Sequence, residues 1–230
     1  MIDLNRLILI YFPRIALVLF ILLISIAMII YPGGTYRDLS TEGYIFSQNF
    51  LSDLGRWSSW NQGQNFYSSL LFSFSFMIVG LVFSAFFWTL PSIFNEEDFY
   101  FLTKIGSSAG IISGVLIIGV ALTPADIAYA SHIIFSTWFM RFFLIAAFCY
   151  SLVFYKSEIM ETKYALGYAL FSILITSYIL ILEFGPSVEE SLWALRVQVL
   201  SQKLICLTFI ISVAFQTIGN KKVYKIQNKL

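Results

Sequence analysis

The side chains that can carry chemistry in this sequence fall in a few short stretches. Ser52 and Asp53 are adjacent, Asp126 follows Thr123-Pro124, and the single histidine, His132, comes six residues later. Asn65, Glu183, Arg196 and Lys203 complete the set. A serine, an aspartate and a histidine that converge support nucleophilic or general acid–base hydrolysis, with Ser52 or a bound water as nucleophile. The same carboxylates together with Arg196 and Lys203 can instead hold the polar head of a lipid, the two cations taking an anionic group. A catalytic zinc site normally takes three protein ligands with His or Cys among them. Here that requires His132 with two carboxylates such as Asp53 and Asp126, a poor fit for a chain with one histidine. No metal or other cofactor is expected.

Each residue also has a plainer reading. Ser52-Asp53 reads as a cap that satisfies free backbone N–H groups, and Asp126 reads the same way after Pro124. His132 reads as a helix-start residue hydrogen-bonded to Asp126. What favours a pocket over separate caps is that these groups cluster on one side of the chain's apolar elements.

Those elements are six apolar runs, Ile8–Ile30, Phe66–Leu90, Thr103–Leu122, His132–Tyr155, Tyr164–Phe184 and Leu195–Ile218. About 20 apolar residues cross a hydrocarbon core of roughly 30 Å. The chain is 59% hydrophobic and 12% charged, with mean hydropathy +0.82; soluble domains carry about 25% charged residues. The expected fold is therefore an all-α bundle of six transmembrane helices, a single membrane domain over residues 1–230. The first run reads as a retained signal anchor: it is too long for a cleaved signal core and ends at Tyr31-Pro-Gly-Gly34.

Lys and Arg in the short loops set the orientation. With the N-terminus inside, Arg6, Lys104, Lys156, Lys163, Lys221, Lys222, Lys225 and Lys229 are cytoplasmic, against Arg37, Arg56 and Arg196 outside. Both termini are thus expected in the cytoplasm of a multi-pass protein of the cell membrane. The acids of Asn95-Glu-Glu-Asp98 weigh little in this rule. A net charge of +1 gives no reason to expect nucleic acid. Membrane lipids are the expected partners, and homo-oligomerisation is left open. Cys149 and Cys206 read as core thiols.

One long outer segment, from Tyr31 to about Asn65, is rich in Gly, Ser, Asn, Tyr and Trp, and connections of this length are usually functional or disordered. Within it Ser47–Leu54 is expected to form a short helix or re-entrant piece. Gly106, Gly110 and Gly114 recur every four residues and let a neighbouring backbone come close. Arg14 lies near a helix end and can snorkel. Arg141, about 13 Å into the fourth span, needs a carboxylate, carbonyl or water that the sequence does not identify.

Ser47-Gln-Asn-Phe-Leu-Ser-Asp-Leu-Gly55 after a Tyr-Pro-Gly turn, with Thr123-Pro-Ala-Asp126 followed by His132 and Ser136, resembles a bacterial and archaeal membrane family known as domain of unknown function 998. The Ser-Asp-x-Gly element is also similar to one in the six-span Frag1/DRAM group. The first resemblance covers the whole chain and implies six spans. It makes Ser52, Asp53, Gly55, Asn65, Asp126 and His132 the family-type positions, and it carries no activity to inherit. The expectation taken forward is an outer pocket for a lipid headgroup or small amphiphile, with a lipid or amide hydrolase, a transporter and a structural membrane protein as the alternatives.

Overall fold

The computed structural model describes residues 3–95 and 98–227; Glu96 and Glu97 of the acidic loop and Lys229 of the basic tail lie outside them. The fold is all-helical, with α1 (Leu4–Ile30), α2 (Phe66–Phe94), α3 (Tyr100–Leu122), α4 (Tyr129–Lys156), α5 (Lys163–Phe184) and α6 (Leu192–Gln227). All six are long and apolar enough to cross a membrane. Even the shortest, α5, is about 33 Å long at 1.5 Å per residue. Among the described residues there is no strand, only the isolated bridges Gly33↔Glu42 and Ser58↔Gln64.

The helices pack in chain order, and α1 closes the ring against α6. Neighbours run antiparallel: Ser73 Oγ donates to the Ala121 carbonyl, Ser113 Oγ to the Phe139 carbonyl and Ser212 Oγ to the Gly167 carbonyl. The 31–65 segment and the α3–α4 and α5–α6 turns therefore gather at one end, the cap end. The two termini and the other turns gather at the opposite, terminal end. Phenylalanine dominates the interior, where Phe86, Phe87, Phe143, Phe154 and Phe171 are buried. Apolar side chains also face outward on every helix, Ile29, Leu81, Val115, Phe148, Ile173 and Leu207 among them. Hydroxyls inside the helices bond back to their own carbonyls, as Ser84 does to Gly80 and Thr208 to Leu204, so they need no water.

The glycine stripe of α3 serves two neighbours. A Cβ on Gly106 would meet Cys149 Cβ of α4 at 2.9 Å. One on Gly110 would run into the Phe87 ring of α2, and one on Gly114 would lie 2.9 Å from the Gly80 carbonyl. A spacing of four drifts about 40° per step on a helix of 3.6 residues per turn, so the stripe winds from one partner to the other.

At the terminal end, polar side chains repair a defect in α1. Pro13 has no N–H for the Leu9 carbonyl, and α1 passes through a π turn at Leu7–Tyr11. Asn220 Nδ2 donates to that carbonyl instead, at 3.0 Å, from 211 residues away. Arg14 Nε donates to Thr217 Oγ1 at 2.8 Å, and the Tyr168 hydroxyl donates to Gln216 Oε1. Three helices are tied there by hydrogen bonds that hydrocarbon would not supply.

Candidate functional site

A cavity of about 720 Å³ lies inside the ring near the cap end, and all six helices contribute to its wall. Its apolar surface comes from residues such as Phe143, Phe171, Phe209, Ile117 and Ile175. Its polar surface comes from Ser52, Asp53, Arg56, Asp126, His132, Ser136, Arg141, Glu183, Gln198 and Gln202. The volume falls within the roughly 300–1,000 Å³ of small-molecule sites.

The 31–65 segment forms part of that wall. Its interior is a 3-10 turn at Leu51–Gly55, overlapping the Ser47–Leu54 stretch expected to form a short helix or re-entrant piece. Asp53 organises the turn: Oδ2 accepts from Phe50 N at 2.9 Å and Asn49 Nδ2 at 3.2 Å, and Oδ1 accepts from Trp60 Nε1 at 3.0 Å. Asn65 Nδ2 donates to the Leu54 and Arg56 carbonyls at 3.0 and 2.8 Å. Ser68 and Ser69 of α2 donate to the Leu54 and Gly55 carbonyls. Gly55 has no Cβ because one there would run into the Phe72 ring.

Two clamps hold this cap across the cavity. On one side Asp126 accepts Trp57 N on Oδ1 and Ser58 N on Oδ2, both at 2.8 Å. On the other, Arg37 Nη1 donates to the Val188 and Glu189 carbonyls at 3.1 and 2.8 Å, and the Tyr36 hydroxyl donates to Glu189 Oε1 at 2.9 Å. Gln202 Oε1 of α6 accepts Leu51 N at 2.8 Å from beneath.

The remaining candidates divide by place. His132 is buried; its Nδ1 lies 2.7 Å from the Thr123 carbonyl. A carbonyl only accepts, so Nδ1 carries the proton and Nε2 is the ring's remaining valence. The plain reading had joined His132 to Asp126; the structure gives each a different backbone partner. Glu183 pairs with Arg141, which also donates to the Thr137 carbonyl at 3.1 Å. That is the partner the sequence could not name for Arg141. Lys203 lies behind the cap: Nζ donates to the Asn49 carbonyl at 2.6 Å and sits 4.9 Å from the Phe46 ring centroid. Arg196 is exposed on α6, and Arg196, Lys203 and Asn65 are outside the cavity lining. Ser52, Asp53, Asp126, His132 and Glu183 all line the one cavity. The candidate set did not include Gln198, Gln202 or Arg56, although the two glutamines lie in a helix start polar enough to call for protein or a wet cavity. The polar first turns of α6 were the signal for the two glutamines.

The arrangement is not an assembled hydrolytic triad. Asp53 already accepts three N–H donors within the cap, and the group that orients His132 is a carbonyl. Among the described residues no three His, Cys, Asp or Glu side chains are grouped to hold a metal. Cys149 and Cys206 are free thiols.

Burial lifts the Asp53 carboxyl above its ordinary value of 3.8, against the lowering pull of Trp60, Asn49 and Arg56. The folded protein therefore holds that proton more tightly than the unfolded chain. The stability tied to it is complete below about pH 3.8 and is lost as pH rises through the folded pKa. Asp53→Asn is expected to lower stability overall, since an amide NH₂ must face N–H donors. It should also flatten the acid-range slope, and melting temperatures measured across acidic pH check both effects.

No protein-family model, curated protein or solved structure matches the chain.

Proposed function

We propose that this chain is an integral membrane protein with both termini cytoplasmic, whose capped cavity binds a membrane amphiphile. The observation that carries the binding reading is one cavity with an apolar wall among the six helices and hydrogen-bonding groups beside it. Such a site suits a molecule with a tail and a polar head. Insertion is supported by the outward apolar residues of every helix. Orientation is supported by Arg6, Lys104, Lys156, Lys163, Lys221, Lys222 and Lys225 on the terminal side against Arg37, Arg56 and Arg196 on the cap side. In this reading the segment resembling domain of unknown function 998 is the cap: Asp53 folds it, Asn65 ties it to α2, and Asp126 clamps it.

Native mass spectrometry of the detergent-purified protein tests this. Wild type is expected to retain about one lipid-sized ligand per chain. A doubly filled variant, Ile117→Trp with Ile175→Trp, is expected to lose at least about 90% of that occupancy, which from near-full loading is roughly a hundredfold in affinity, about 2.7 kcal/mol. If wild type carries no ligand and no added amphiphile raises its melting temperature, the binding reading is wrong. The hydrolase reading retains one supporting observation, that Ser52 and His132 line the same wall. Lipid turnover lost in His132→Asn would favour it.

A further inference from the structure

We infer, resting on the amphiphile reading above, that the cavity takes an amphiphile whose head donates hydrogen bonds and bears no negative charge, and that it excludes phosphate heads. The cavity wall carries three carboxylates, Asp53, Asp126 and Glu183, against two guanidinium groups, Arg56 and Arg141. Neither cation is unengaged. Arg141 is paired with Glu183. Arg56 lies over the Trp60 ring at 3.8 Å and donates from Nε to the Ser58 carbonyl at 3.1 Å. The cations that would serve a phosphate, Arg196 and Lys203, are outside the lining, and Lys203 is held by the Asn49 carbonyl. A phosphate is recognised by bidentate arginine, lysine or converging N–H groups. Here it would enter a wall whose two cations are already engaged and which carries the Asp126 and Glu183 carboxylates.

What the wall leaves unused suits a donor. His132 Nδ1 is spent on the Thr123 carbonyl, which leaves Nε2 as an acceptor. Gln198 donates through Nε2 to the Pro186 carbonyl at 3.0 Å, which leaves its Oε1. Gln202 spends Oε1 on Leu51 N, which leaves its NH₂ as a donor. These three side chains offer two acceptors and one donor, and the Ser52 and Tyr178 hydroxyls on the same lining can donate or accept; together they complement a hydroxyl, an amide or an amine. A free carboxylate or phosphate supplies only acceptors. Such a head left facing His132 and Gln198 would strand unpaired lone pairs in an apolar surround, which is costly.

Three probes with one tail separate these chemistries: monododecanoylglycerol, dodecylamine and dodecyl phosphate, added to the full-length protein in phosphatidylcholine nanodiscs. Binding is read by native mass spectrometry and by the shift in melting temperature. The glyceride and the amine are expected to bind at least about tenfold more tightly than the phosphate. Glu183→Gln supplies the converse. It removes one negative charge and frees the Arg141 guanidinium, on a half-exposed side chain whose loss leaves the helix interior untouched. Dodecyl phosphate should then bind about tenfold better than to wild type. Equal or tighter binding of the phosphate by wild type would overturn the head assignment while leaving the amphiphile site standing. If none of the three binds a protein with normal melting, both inferences fall.

Discussion

Gly80→Ala is expected to destabilise the protein by about 2 kcal/mol, while Gly167→Ala raises stability by about 0.5–1 kcal/mol. The same methyl group has opposite effects because the spaces differ. On Gly80 a Cβ would lie 2.6 Å from the Gly114 carbonyl oxygen and 2.6 Å from Ile118 Cγ1. The first of these is backbone, so no rotamer change relieves it, and α2 and α3 must separate. On Gly167 the nearest atom is Ser212 Oγ at 3.4 Å, an ordinary contact. There the gain in helix propensity, up to about 1 kcal/mol, is realised. Hydrocarbon adds nothing between apolar helices that lipid does not already give, so α2–α3 association depends on this close contact. Gly80→Leu is expected to cost over 3 kcal/mol. Melting in detergent, read beside Gly167→Ala, is the measurement. A neutral Gly80→Ala would mean that the two helices do not meet this closely.

Those glycines also mark how much of the structure was legible in the sequence. The spacing of Gly106, Gly110 and Gly114 announced close packing, and α3 does pack closely through all three. The neighbours were not legible, because an i, i+4 stripe drifts around the helix and the sequence does not say where a second helix crosses it. The long helices were legible from hydropathy, a property each segment carries by itself. The gathering of Asp53, Asp126, His132 and Glu183 around one cavity was legible as polarity confined to one end of the runs. Their partners were not, because most are backbone atoms: Trp57 N, Ser58 N and the Thr123 carbonyl. A backbone group carries no residue-type signal. Arg196 and Lys203 share nearly one helix face, yet only Lys203 is buried. The separation of seven residues is about 10 Å of axial rise, and the cap packs on α6 only at the deeper level. Asn220 and Leu9 were out of reach for a third reason. The sequence shows that Pro13 strands a carbonyl, but not which distant amide fills the gap.

Asp126→Ala is expected to open the cap and to shorten ligand residence at the same time. Each Asp126 oxygen accepts one backbone N–H at 2.8 Å, and hydrogen bonds to a charged group are worth about 1.5–3 kcal/mol. The carboxylate is partly exposed, which places the pair near the lower end, at about 2–3 kcal/mol together. With the α3–α4 clamp gone, the cap still hangs from the Arg37 and Tyr36 contacts to the α5–α6 turn. It should therefore swing from one edge and leave the bundle folded. Limited proteolysis should cut the stretch from Arg56 to Gln64 about thirtyfold faster or more, which is 2 kcal/mol as a population of open cap. Any bound amphiphile should dissociate faster by a similar factor. Asp126→Asn keeps one acceptor and turns an NH₂ toward the second N–H, so its effect should fall between wild type and alanine. If Asp126→Ala leaves both cleavage and dissociation at the wild-type rate, Asp126 merely finishes a turn and access to the cavity is controlled elsewhere, with the Arg141–Glu183 side the next place to look. If cleavage rises while dissociation does not, the cap opens without serving as the exit.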